Sequence, residues 1–82
     1  QRTDLVAALR AMTGVARVWD SEANMVLIRV ADAARTFAGM RERKVLVKNV
    51  STMHPLLAQC LRLTVGTAEE NACMLAALQA SI

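Results

Sequence analysis

The apolar residues of this chain change period several times, and each change marks an element boundary. From Thr3 to Met12, Leu5, Leu9 and Met12 recur at steps of four and three, with Val6 and Ala8 widening the stripe. That spacing predicts an amphipathic helix, which Gly14 ends. Val15–Trp19 then reads as a short strand, Asp20–Glu22 as a turn, and Asn24–Val30 as a second strand. Both sides of this second strand, Met25, Leu27, Arg29 and Asn24, Val26, Ile28, Val30, are largely apolar, so it is expected to be covered on both faces. Asp32 can cap a second helix whose stripe is Ala33, Phe37 and Met40, with Arg35, Arg41, Glu42 and Arg43 facing water. Val45–Val50 is a third strand, Ser51–Gln59 a loop holding His54-Pro55, and Cys60–Val65 a fourth strand. Thr67 and Glu70 make the T-x-x-E of a capping box and so start a last helix at Ala68, running to about Ala80. Its buried face is expected to be Asn71, Leu75, Leu78 and Ile82, with Met74 beside them.

The order is αββαββα, uninterrupted by a repeat, a linker or a low-complexity segment, and it predicts one α+β domain over residues 1–82. Such a domain has two layers, a small and mostly antiparallel sheet with helices on one face. At 82 residues its buried fraction is modest and its stability margin thin. The composition sharpens this. The chain is 55% hydrophobic with one Trp, one Phe and no Tyr, so the core is aliphatic. That is more apolar than a domain this small needs, which points to a surface meant to be covered by something else. A scattered net charge of +3, with almost no aromatic surface on which bases could stack, argues against nucleic-acid binding. Cys60 and Cys73, with no CxxC and no second pair, read as buried thiols of a cytoplasmic protein rather than as a disulfide or metal site. No apolar run reaches membrane-spanning length. The chain opens on Gln1, not Met, and enters a helix almost at once, so it reads as a piece of something longer.

One residue breaks the pattern. In a strand, Leu61, Leu63 and Val65 point one way and belong against the helices, while Cys60, Arg62 and Thr64 point the other. Arg62 is then either an exposed arginine on an open sheet face or an anion clamp, its planar fork suited to gripping a carboxylate in two places. Periodicity leaves both open.

The runs ANMVLIRV at 23–30, VLVKNVS at 45–51, HPLL at 54–57 and above all CLRLTVGTAEEN at 60–71 resemble the C-terminal small domain of the histidinol-phosphate aminotransferases, members of the fold-type I enzymes that depend on pyridoxal phosphate. The resemblance extends over nearly the whole chain and is most specific in the L-R-x-T-x-G-T-x-E-E-N segment. It implies that Arg62 binds the carboxylate of the amino-acid substrate, and it makes Asn24 a second candidate contact, although an asparagine opening a strand also serves as a local turn-former. Met25 stands where the family usually has Phe, Lys44 where Gly is common, and Lys48 where Arg is frequent; Lys48 keeps the charge but not the fork, and no role beyond a possible one is assigned to it. His54, without a nucleophile or carboxylate partner at a readable spacing, reads as a loop surface residue.

The resemblance further implies transfer of an amino group between glutamate and imidazole-acetol phosphate in histidine biosynthesis, in a parent that is a homodimer. A transaminase needs a Schiff-base lysine, an acid for the pyridine nitrogen and a phosphate cradle. The lysines here, Lys44 and Lys48, have nothing of the family's cofactor-lysine segment around them. Pyridoxal phosphate is therefore expected to be held by a large cofactor domain of the same polypeptide, leaving no catalytic or cofactor-binding residue in this piece, which would be inactive alone and supply one substrate contact and one wall. Two other readings stand beside this one: the small domain of another class I/II aminotransferase, and a free-standing small-ligand or interaction module. The βαββαβ order of a ferredoxin-like module does not match.

Overall fold

In the computed structural model, residues 2–20, 24–45 and 47–82 are described. Helix α1 (Arg2–Ala11) leads through Gly14, at φ +99°, into β1 (Val15–Asp20) and β2 (Met25–Val30). There follow α2 (Ala33–Glu42), β3 (Lys48–Asn49), a single 3-10 turn at Pro55–Leu57, β4 (Cys60–Thr64) and α3 (Ala68–Ser81). The αββαββα order is the one the sequence predicts. The strands form one sheet in the order β1-β2-β4-β3, and each neighbouring pair is antiparallel. The turn expected at Asp20–Glu22 falls largely outside the described residues.

Alternation along the two central strands builds the core. Val26 and Ile28 of β2 and Leu61 and Leu63 of β4 are fully buried on the helix side, packed with Leu5 and Leu9 of α1, Met40 of α2 and Leu78 of α3. The opposite face of β2 is not covered as expected: Met25, Leu27 and Arg29 are only half-buried. All three helices lie on one side, and among the described residues the other side is met only by the short turn at Pro55–Leu57.

The cap signals act as read. Asp32 accepts from the Arg35 amide (3.2 Å), and Thr67 and Glu70 exchange both capping-box bonds, Glu70 N to Thr67 Oγ1 (3.1 Å) and Thr67 N to Glu70 Oε1 (2.8 Å). The buried face of α3, however, is turned relative to expectation. Asn71, Met74, Ala77, Leu78 and Ser81 are buried, while Leu75 and Ile82 are only partly so. The cause is the close approach of α2: a Cβ built on Gly39 would lie 2.6 Å from Ser81 Oγ and 2.8 Å from Ser81 Cβ. Small residues meet there, and the Ser81 hydroxyl is satisfied by donating to the Ala77 carbonyl (2.7 Å). The same contact buries Thr36 on α2 more completely than Phe37. The turn of α3 also leaves Cys73 exposed rather than buried.

The third strand is shorter than Val45–Val50. Lys44 adopts φ +62° and the Val45 amide donates back to the Met40 carbonyl (3.0 Å), so the backbone closes the end of α2 before it can extend. Pairing starts at Lys48; Leu46 lies outside the described residues.

Candidate functional site

Four of the chain's ten lysines and arginines lie on the uncovered sheet face. Directly opposed residues of neighbouring strands share a face, so the register Trp19–Leu27–Arg62–Lys48 forms one row across the sheet, and Arg17–Arg29–Cys60 the next. Two like-charged pairs result, Arg17 opposite Arg29 and Lys48 opposite Arg62. Such pairs cost roughly 0.2–1 kcal/mol each when nothing lies between them.

The first pair is compensated within the chain. The guanidinium carbons of Arg17 and Arg29 lie 5.1 Å and 5.2 Å from the centroid of the Trp19 ring. Arg29 also donates from Nη2 to the Leu56 carbonyl (2.7 Å) and from Nε to the Ala58 carbonyl (3.1 Å). The second pair has no such relief. Among the described residues, neither Arg62 nor Lys48 meets a carboxylate or carbonyl through its side chain. The acidic residues lie elsewhere: Asp4 and Glu69–Glu70 in the first turns of α1 and α3, Asp32 capping α2, Glu42 at its end. Asp20 is paired with Val26, whose side belongs to the core, and Glu22 is outside the described residues. A half-buried planar fork beside an exposed ammonium, with apolar Leu27 and Trp19 next in the row, is suited to a small anion with a hydrocarbon body.

Arg62 thus lies on the face that alternation predicts, with Cys60 beside it buried as the sequence reading expects of that thiol. Cys60 is fully buried, because the segment before it folds over that end of the strand; its Sγ lies 3.6 Å from the Ala58 carbonyl. Thr64 is exposed. Asn24 sits exposed in the turn before β2, its carbonyl accepting from the Val65 amide (2.7 Å). It is three residues from Leu27 and of opposite parity, roughly 10 Å along the strand from the Arg62 row. The fold does not bring it beside Arg62. Lys48, singled out in the sequence without a firm role, proves to be the neighbour of Arg62, a placement the sequence does not show because the offset between β3 and β4 is set by the intervening loop and no short motif encodes it. His54 uses Nδ1 to accept the Leu56 amide (3.1 Å), which makes it the cap of the 3-10 turn.

A surface cavity of about 440 Å³ lies at the end of the sheet, between Lys44–Val45 and the first turn of α3, with Glu69, Glu70 and Cys73 in its lining. It is a poor home for a phosphorylated cofactor. The amides of Thr67 and Glu70 that could cradle a phosphate are already taken by the capping box, and two carboxylates stand at the helix start. Lys48, the other candidate amine, lies on the open face beside Arg62 with no acid paired to it among the described residues for a pyridine nitrogen. The residues present do not fit pyridoxal phosphate.

No protein-family model matches the chain. Histidinol-phosphate aminotransferases do. That of Paracidovorax citrulli is 78% identical over 81 residues, covering 99% of this chain and 22% of the relative. That of Polaromonas naphthalenivorans is 67% identical over 82 residues, covering all of this chain and again 22% of the relative. The chain therefore spans about a fifth of the length of these curated relatives. In fold it matches the histidinol-phosphate aminotransferase of Clostridium acetobutylicum with a TM-score of 0.87 at 18% identity, covering 96% of this chain and 24% of that one. The L-threonine-O-3-phosphate decarboxylase of Porphyromonas gingivalis matches with a TM-score of 0.83 at 26% identity, over 96% of this chain and 25% of the decarboxylase. The fold is thus common to enzymes of different reactions, and the sequence is what distinguishes among them. Across nearly all its length this chain matches the histidinol-phosphate aminotransferases at high identity, as a segment about a fifth the length of theirs.

Proposed function

We propose that this chain is the C-terminal small domain of a pyridoxal-phosphate-dependent transaminase that moves an amino group between glutamate and imidazole-acetol phosphate, and that Arg62 grips the substrate's anionic group. The cofactor supplies the amino-group chemistry and is held by the large domain of the same polypeptide, in a homodimeric, cytoplasmic parent. The observation that carries the reading is the Lys48–Arg62 pair: two cations directly opposed on an uncovered sheet face, without a counter-ion among the described residues. A bound carboxylate turns that repulsion into attraction. Arg62 would take both oxygens on its fork while Lys48 adds an unoriented charge beside it. Leu27 and Trp19, next in the row, would exclude water from one side of the bound group and so strengthen the contact. Asn24 is left with at most a peripheral contact, given its distance along the strand. The half-buried apolar side of β2 is where the large domain would close.

The experiment is kcat/KM for glutamate in the full-length enzyme carrying Arg62→Ala or Arg62→Lys. The reading expects a loss of about 30- to 1,000-fold for the alanine, the equivalent of about 2–4 kcal/mol, and partial recovery with lysine. Near-normal turnover in the alanine variant would return Arg62 to an ordinary strand position.

A further inference from the structure

Beside the Arg62 row lies a surface cavity of about 400 Å³ lined by Trp19, Leu27, Arg29, Leu56 and Leu57. Its floor is sheet. Leu27 is the residue directly opposite Arg62, and Trp19 is opposite Leu27. Its wall is the 3-10 turn at Pro55–Leu57, which has little to hold it down: Leu56 is 76% exposed and nearby Met53 61% exposed. A turn that buries so little is free to lift unless polar contacts fix it. Behind it, Gln59 at φ +59° is tied to the start of α2, accepting the Ala33 amide on Oε1 (2.6 Å) and the Val30 amide on its carbonyl (3.0 Å). On the sheet side the tie is Arg29. One guanidinium donates to the carbonyls of Leu56 and Ala58 and lies over Trp19 at the same time. The side-chain bonds of Arg29 thus hold both the wall and the floor of the cavity.

We infer that Arg29 is a positioning residue for the Arg62 site. It clamps the Pro55–Leu57 turn against the sheet, so that Leu56 and Leu57 stand as a fixed apolar wall for the body of a ligand whose anionic group is on Arg62. The inference rests on the anion-binding role of Arg62. Arg29 acts through the turn and not on the ligand: its Nε and Nη2 are directed at the Ala58 and Leu56 carbonyls and its guanidinium lies over the indole. Without it the wall becomes mobile, and ordering it falls to the ligand, which weakens binding rather than the chemical step.

The test is a double-mutant cycle in the full-length holoenzyme: Arg29→Met, Arg62→Ala and the pair, each read as KM and kcat for glutamate, with hydrogen exchange of residues 53–58. Arg29→Met is expected to raise KM about ten-fold with kcat within two-fold, to speed exchange in the turn, and to have no further effect on KM once Arg62 is alanine. Arg29→Lys, which keeps the charge and the stem but only one of the two carbonyl contacts, should fall between, and it carries the test if the methionine variant fails to fold. Normal KM in Arg29→Met with a raised KM in Arg62→Ala overturns the positioning role alone. A normal KM in Arg62→Ala overturns the anion site, and this inference with it. An Arg29 effect confined to kcat, or undiminished in the Arg62→Ala background, also overturns it.

Discussion

Replacing Lys48 by glutamate should make the isolated 82-residue chain more stable while spoiling the site. Lys48 stands directly opposite Arg62 on an edge strand, and among the described residues neither has a counter-ion. A directly opposed like-charged pair costs roughly 0.2–1 kcal/mol and an opposed ion pair gains about as much, so Lys48→Glu should stabilise by about 1 kcal/mol. In a domain of this size that corresponds to a rise of roughly 4–8 °C in the thermal midpoint. Lys48→Gln, which removes the repulsion without adding attraction, should give about half. The assay is thermal unfolding followed by circular dichroism at low ionic strength, repeated near 1 M salt, where the Debye length of about 3 Å should erase most of the difference. In the full-length enzyme the same glutamate would occupy Arg62 in place of the substrate, so KM for glutamate should rise at least ten-fold. A Lys48→Glu chain that melts at or below the parent temperature at low salt would refute the reasoning, since it would mean the two cations do not repel on this face.

Two further outcomes follow from the packing. Gly39→Ala should destabilise the chain by about 1–3 kcal/mol despite alanine's better helix propensity, because the new methyl would meet Ser81 Cβ at 2.8 Å; adding Ser81→Gly should restore part of the loss, and a thermal midpoint unchanged by Gly39→Ala would contradict the close approach of α2 and α3. A disulfide-exchange thiol reagent should label one cysteine rapidly in the native chain, Cys73, and the second only on unfolding, since Cys60 is fully buried; prompt labelling of both would contradict the cover supplied by residues 53–59.

Local signals in this chain were legible where a few neighbouring residues decide the geometry. Asp32 and the Thr67–Glu70 box start helices where capping chemistry says they must, and the alternation of Leu61, Arg62 and Leu63 assigns Arg62 to the uncovered face. What could not be read depended on contacts distant in sequence. The turning of α3 toward Met74, Ala77 and Ser81 is set by Gly39 on another helix, and with it the exposure of Cys73. The shortening of β3 follows from a left-handed Lys44, a conformation usual for glycine and uncommon for lysine. The pairing of Lys48 with Arg62 could not be read because the two are fourteen residues apart, across a loop whose folding fixes the offset. The cover over Cys60 likewise comes from Arg29 and Gln59 securing a loop that carries no periodic signal.

Whether Arg62 holds a carboxylate is tested, without involving the chemical step, by the dissociation constant of an unreactive dicarboxylate, glutarate, measured as competitive inhibition of the full-length enzyme. Arg62→Ala should weaken glutarate by about 30- to 1,000-fold, and Arg62→Lys should recover part of that while pyridoxal phosphate affinity and the thermal midpoint stay at their parent values. Glutarate binding equally well to the parent and to Arg62→Ala would contradict the claim.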